Sequence, residues 1–246
     1  MSLVRSLRDA YGGLSIYDVT SRVNLSKLRP AFERLQVDPY IREGYRRKHI
    51  GWFKKEHRGY LHLPESTLFQ AKQFNPVHGD VARVYPPLEA HTPDVARVIL
   101  RTLELFDDVV EDGVPAGARI LFQMQRVTAA PGRDGKPSVE DWHRDGVKKI
   151  GIICVGRENI VGGLSQFRNG ASQTQQRRRT RPRPSSKTLH GNDDGDDDDE
   201  DDVYTLELSP GHMAVFDDAS VLHRVTDISS ADGRNEGARD VILLSF

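Results

Sequence analysis

Two tripeptides in this chain set a histidine and an aspartate two residues apart: His78-Gly79-Asp80 and His143-Arg144-Asp145. On extended backbone, residues i and i+2 share a face, so such a pair can turn an imidazole and a carboxylate toward one point. Nine histidines among 36 acidic residues make the tripeptide common by chance, so its context decides. His78 follows Asn75-Pro76 and has glycine at its centre, a turn signature that does not fix two side chains on one face. His143 instead leads through Gly146-Val147-Lys148 into the apolar run Lys149 to Val155. Two imidazoles and one carboxylate on one side of an iron ion leave its remaining positions open for a cosubstrate and oxygen. The third ligand is expected on a later strand, and His223 qualifies. Ala214 to Asp218 ends one expected strand there, and Val221-Leu222-His223-Arg224-Val225-Thr226 begins the next. Arg239 opens the final run. An antiparallel connection through Ser229 to Gly237 would bring it beside His223, where a guanidinium can hold a dicarboxylate bidentately. The bland alternative is a structural polar cluster with its hydrogen bonds satisfied. His212, after Pro210-Gly211, reads as a solvated or capping residue, and Arg234 lies in the turn Asp232-Gly233-Arg234-Asn235.

The elements that must position these residues fall into two halves. Residues 1–117 read as mostly helical. Ser26 to Gln36 carries Leu28, Ala31, Phe32 and Leu35 on one helical face. The best helix runs from about Pro93 to Val110, with Thr92 as its N-cap and Asp94 in the first turn. Its apolar stripe, from Val95 through Phe106 to Val110, is expected to pack on a sheet. Residues 118–246 read as short strands separated by Gly and Pro: Arg119 to Val127, Lys149 to Val155, Val203 to Leu208, His212 to Phe216, Leu222 to Ile228 and Asp240 to Phe246. Cys154 and Met213 sit in these runs as core residues. The pattern predicts a sandwich or barrel, all within a single domain spanning 1–246.

The chain has 246 residues, 35 basic and 36 acidic, for a formal net charge of −1. That balance excludes a uniformly basic nucleic-acid binder and a uniformly acidic disordered chain. It is nevertheless the sum of two opposed blocks: six positive charges between Gln176 and Lys187, and a carboxylate at every position from Asp193 to Asp202 except Gly195. Such blocks bury too little apolar surface to offset ordering entropy, so 168–202 is expected to be a disordered charged insertion. The hydrophobic fraction, 37%, is diluted by it. No apolar run is long enough to span a membrane. The first nine residues lack the apolar region of a secretory signal, and Cys154 is the only cysteine, so no internal disulfide can form. A soluble protein of a reducing compartment, cytoplasmic or else nuclear through the basic run 177–187, is the expectation.

The motifs, taken in order, resemble a known family. Glu140-Asp141-Trp142-His143-Arg144-Asp145-Gly146 and Arg157-Glu158-Asn159-Ile160-Val161-Gly162-Gly163-Leu164-Ser165-Gln166 are similar to motifs of the iron(II)/2-oxoglutarate dioxygenases typified by bacterial isoleucine dioxygenase. His223-Arg224-Val225-Thr226 and Arg239-Asp240-Val241-Ile242 complete an ordered set of four. Asp38-Pro39-Tyr40, Gly44-Tyr45-Arg46-Arg47 and Phe74-Asn75-Pro76-Val77-His78-Gly79 resemble its N-terminal half, so the likeness spans about 28–246 outside the insertion. Leu164 stands where the family has Glu, and Trp142 where it has Ile; both departures bear on specificity.

The resemblance implies a mainly β fold with flanking helices, a double-stranded β-helix (jelly-roll, cupin-like) core. It implies Fe(II) held by His143, Asp145 and His223, and 2-oxoglutarate held by Arg239. O2 would be consumed, succinate and CO2 released, and a small substrate hydroxylated, a free aliphatic amino acid by analogy. Arg126, on the strand before the metal motif, is a candidate for a substrate carboxylate or else a surface strand residue. Asn159, Gly162, Gly163, Ser165 and Gln166 shape either the pocket or a tight turn. Two other readings stand beside this one: a non-catalytic jelly-roll interaction module, and an oxygenase acting on a macromolecule docked through the charged insertion. The balanced charge gives no expectation of nucleic-acid binding beyond 177–187, and nothing in the sequence sets the oligomeric state.

Overall fold

The computed structural model describes residues 1–7, 11, 13–138, 141–170 and 203–246. Its N-terminal half holds strands β1 (Ser2–Leu7), β2 (Leu14–Asp18), β3 (Arg46–Lys55), β4 (Tyr60–Leu63), β5 (Thr67–Leu68) and β6 (Arg83–Val84). A 3-10 turn, Leu25–Leu28, runs into the short helix α1 (Arg29–Glu33), and α2 is Pro93–Val109. The C-terminal half holds β7 (Arg119–Ala129), β8 (Lys149–Glu158), β9 (Ile160–Gly162), β10 (Ser165–Asn169) and β11 (Tyr204–Leu206). It continues through β12 (His212–Asp217), β13 (Val221–Val225), β14 (Ile228–Ser230) and β15 (Gly237–Ser245).

Eight strands form one sheet in the order β1-β2-β12-β8-β15-β7-β3-β4. Facing it are β11-β10-β13 and the pair β14-β9. The two-sided pleat sorts the sequence. Odd positions of β7 (Leu121, Gln123, Gln125) and of β15 (Arg239, Val241, Leu243) face a cavity inside the barrel. Even positions (Ile120, Phe122, Met124; Ile242, Leu244) join α2 in the outer core. Thr92 caps α2 by accepting from the Val95 N–H at 3.2 Å, and Val95, Val98, Ile99, Leu103 and Phe106 are buried on the sheet. Phe106 has no exposure; removing such a ring leaves a cavity worth about 3–5 kcal/mol. Ile150, Ile152, Cys154, Phe167, Phe216 and Val221 form the second core, between the sheets.

The jelly-roll architecture, the helix on Pro93–Val109 and the C-terminal strands agree with the sequence reading. The mostly helical N-terminal half does not: 1–117 contributes six strands, and β1 to β4 belong to the large sheet. The reason lies in β3. Its inward positions Arg46, Lys48 and Trp52 line the cavity, so polar residues stand where an apolar alternation would have marked a strand. Ser26 to Gln36 is likewise broken into a 3-10 turn and α1, with Pro30 in the first turn of α1, where its missing N–H costs no helical bond. Its apolar face is buried as expected. Of the expected insertion 168–202, Arg168 and Asn169 end β10, paired with Leu222 and Val221; residues 171–202 lie outside the described residues.

Candidate metal centre and active-site cavity

His143, Asp145 and His223 converge, their ligand atoms all within 4.8 Å of one another. Asp145 divides its oxygens between the two rings: His143 Nε2 lies 3.9 Å from Oδ1, and His223 Nε2 lies 3.9 Å from Oδ2. These separations exceed a hydrogen bond and leave room for a cation between three donors. The ring centroids are 4.3 Å apart. The backbone arrangement differs from the expected strand pair. His143 and His223 exchange main-chain hydrogen bonds in an isolated antiparallel bridge, and Asp145 follows in a loop. His143 Nδ1 faces the Asp141 carbonyl at 2.9 Å; since a carbonyl only accepts, the proton sits on Nδ1 and Nε2 is free to ligate. His223 is buried against Phe216, and burial, reinforced by the neighbouring His143, holds it well below the ordinary imidazole range. It is kept in the neutral form that a metal ligand must have.

Three supports fix this geometry, none of them evident beforehand. Buried Asp218 accepts the N–H groups of Asp145 (2.9 Å), Gly146 (2.7 Å) and Val147 (3.1 Å), pinning the loop that carries the carboxylate. Gln70 donates to Asp145 Oδ1 at 3.2 Å, and its own carbonyl accepts from Arg83 and Asn75. Trp142, beside His143, lies between the guanidiniums of Arg168 and Arg224, 4.6 and 4.5 Å from its ring. Arg224 also pairs with Asp141 and donates to Gln166.

A cavity of about 440 Å³ opens beside the triad. Arg239 lines it, 2% exposed, with Nε and Nη2 buried and unpartnered. Burial brings its pKa down to about 10, so the charge is kept although no carboxylate meets those two nitrogens. Arg239 and His223 are not strand neighbours as expected. β15 lies in the large sheet and β13 in the small one, so they face one cavity from opposite walls. Beside Arg239, Gly163 has φ +66°, and a Cβ there would fall 3.1 Å from Arg239 Cδ and 2.8 Å from Ile228 Cγ2.

The candidate substrate ligand Arg126 is a correction. It is an even residue of β7 and points to the outer face, where Nε and Nη2 each donate at 2.7 Å to the Asp240 carboxylate. Asn159, Gly162 and Gly163 build a turn: Asn159 (φ +48°) binds Asp232 and the Asn235 carbonyl, while Arg157 donates to the Gly162 and Gly163 carbonyls. None of the three lines the cavity, nor does His78. Among the cavity residues that escaped sequence reasoning, beside Gln70, are Lys48 and Arg83; their signal was a cation at an inward-facing strand position.

The family model for 2OG-Fe dioxygenase matches residues 29–245. Among solved structures, a bsmA homolog from Methylobium petroleophilum PM1 superposes with a TM-score of 0.67 at 20% identity, over 97% of this chain and 89% of that one. A structure titled IDO, from Bacillus thuringiensis, gives 0.63 at 15% identity over 95% and 93%. The Fe(II)/(alpha)ketoglutarate-dependent dioxygenase TqaL gives 0.54 at 15% identity over 94% and 81%. These likenesses extend to the fold. No curated protein matches the sequence.

Proposed function

We infer, for a chain that belongs to the 2OG-Fe dioxygenase family, that His143, Asp145 and His223 hold the iron, that Arg239 anchors 2-oxoglutarate, and that a small molecule is hydroxylated. The enzyme is an Fe(II)/2-oxoglutarate-dependent dioxygenase, and its reaction uses Fe(II), 2-oxoglutarate and O2. The bound metal supplies the oxidative decarboxylation of 2-oxoglutarate to succinate and CO2, with one oxygen atom of O2 entering succinate and the other a substrate C–H bond.

One observation carries the assignment of residues. Two imidazole nitrogens and a carboxylate share a cavity with a buried guanidinium that lacks a partner on two nitrogens. A structural polar cluster would have its donors satisfied, because an unpaired buried donor costs about 1–3 kcal/mol. A ligand carboxylate across the cavity supplies what Arg239 lacks, and two N–H groups in a fixed fork suit it. The protein's own task is orientation. His143 is held by the Asp141 carbonyl, Asp145 by Gln70 and by Asp218 through its backbone, and Leu121, Val241 and Leu243 give the cavity a water-excluding wall.

The cavity volume lies at the small end of ligand sites, which favours a substrate of amino-acid size over a macromolecular one. The free aliphatic amino acid rests on the motif resemblance, and Leu164 and Trp142 are the departures that bear on it. The test is Fe(II)-dependent release of succinate from 2-oxoglutarate during a screen of the twenty free amino acids. His143→Ala and Asp145→Ala should abolish release while the melting transition persists. Arg239→Met should raise the 2-oxoglutarate KM at least tenfold. Undiminished turnover in the triad variants would sink the assignment.

A further inference from the structure

Five cationic side chains line the cavity (Arg46, Lys48, Arg83, Arg119 and Arg239), against one carboxylate, Asp145, among the described residues. Two of the five are already neutralised. Arg46 and Asp38 form a buried pair at 2.7 Å, and Arg119 pairs with Glu65. Arg239 is assigned to the cosubstrate above. Lys48 and Arg83 remain. Lys48 is 6% exposed, and its ammonium rests 4.8 Å from the Tyr85 ring centre without an ion pair among the described residues. Arg83 is 3% exposed. Its Nη1 donates to the Tyr85 hydroxyl at 3.2 Å and its Nη2 to the Gln70 carbonyl, leaving Nε buried and unpartnered. Tyr85 thus ties both cations to one spot, and neither meets a carboxylate.

We propose that Lys48 and Arg83 form a second anion seat, which binds the carboxylate of the substrate. The assignment rests on the cavity being the active site, and it names the substrate class: a small acid recognised by its carboxylate. An ammonium group has no free carboxylate to meet in this cavity among the described residues.

Register separates the two seats. Arg239 on β15 lies opposite Val127 of β7, which lies opposite Arg46 of β3. Lys48 is two residues along β3 from Arg46 on the same face. The seats are therefore two strands apart, roughly 10 Å across the sheet, with one same-face step of roughly 7 Å along it. A 2-oxoglutarate and a second acid fit side by side on that floor. Gln70 connects the second seat to the centre, binding Arg83 through its carbonyl and Asp145 through its amide. A carboxylate on Arg83 then lies one side chain from the metal triad, so the oxidised C–H bond belongs to a carbon close to the acid group.

A buried cation without a counter-ion is costly in the empty protein. Burial first, then the adjacent Arg46 and Arg83 charges, lower the Lys48 pKa to about 7 against the pull of Asp38 and Asp145. An arriving anion relieves that cost.

The test uses the full-length protein and two probes, 4-methylpentanoate and 4-methylpentanamide, titrated by calorimetry. The wild type should bind the acid at least tenfold more tightly than the amide. Lys48→Met should erase that preference, Lys48→Arg should restore it, and Arg239→Met should leave it in place. Lys48→Met should melt no lower than wild type, because it removes an unpaired buried charge; a purely structural lysine would give a lower melting temperature. Arg83→Met should erase the preference likewise, and a preference retained there would overturn the proposal. Equal binding of acid and amide, binding of neither, or a preference lost only in Arg239→Met would overturn the proposal. Acid preference without any Fe(II)-dependent succinate release would instead count against the proposed function and leave the seat standing.

Discussion

Asp218 is where a single atom exchange should reach the metal centre without touching a ligand. Its Oδ1 accepts the Asp145 N–H and its Oδ2 accepts those of Gly146 and Val147. In Asp218→Asn the amide can keep the two bonds on one side only by presenting NH2 to the Asp145 N–H. One buried N–H is then unsatisfied, at about 1–3 kcal/mol, and the two surviving bonds lose their charge assistance, at about 1 kcal/mol each. Against this, burial pushes the Asp218 carboxyl above its ordinary value, a desolvation cost that the backbone donors offset only in part and that the amide escapes. The net expectation is a loss of about 2 kcal/mol, read as a lower urea midpoint at unchanged slope. Because the released N–H belongs to Asp145 itself, Fe(II) affinity measured against a competing chelator should fall about tenfold or more, in the range found for residues that orient metal ligands. Wild-type stability together with wild-type Fe(II) affinity in Asp218→Asn would refute the reasoning.

Arg126→Met should lose about 3 kcal/mol in chemical denaturation, since Asp240 is left as a buried unpaired carboxylate, and should leave the substrate KM unchanged. A raised substrate KM would return Arg126 to the binding site. Gly163→Ala forces a side chain into the left-handed region and against Arg239, so the 2-oxoglutarate KM should rise several-fold with less effect on substrate; equal effects on both would argue against Arg239 as the cosubstrate anchor. The folded-state pKa of Lys48 is lowered from 10.5 to about 7, so the unfolded chain binds more protons between those values. Stability therefore rises with pH from about 7 toward 10, and the contribution is lost as pH falls through about 7. The same slope should be flatter in Lys48→Met, measured by denaturation midpoints across that window, and identical slopes would show that Lys48 is not the titrating group.

The ligand set was legible because its signal is local. A histidine and an aspartate two apart, a late histidine and a final arginine are types and spacings, and they survive ignorance of how strands are ordered. Strand order itself was not legible. His223 and Arg239 do face one cavity, but from two sheets, and no spacing distinguishes that from neighbouring strands. Arg126 shows the cost of omitting parity: counted from Arg239 and Val241 on its partner strand, β7 turns Gln125 inward and Arg126 outward. β3 escaped because the inward face of a strand that lines a polar cavity reads as surface. Asp218 could not be found by residue type, since a carboxylate that accepts only backbone N–H groups has no side-chain partner to betray it. α2, whose cap, stripe and burial depend on one contiguous segment, matched its sequence signature almost residue for residue.

β10 and β11 are antiparallel neighbours, Phe167 opposite Tyr204, although a long stretch of chain joins them. On its other side β10 is held by β13, where Phe167 lies opposite His223. The ends of that stretch are thus clamped together by main-chain bonds within the barrel, whatever runs between them. Closing a longer connection between fixed ends adds little free energy, about 0.6 kcal/mol per doubling for a flexible chain. The junction after Asn169 is in this sense a splice point. The main-chain pairs that set Phe167 opposite His223 lie outside that stretch, so a change in its length need not move the ligand.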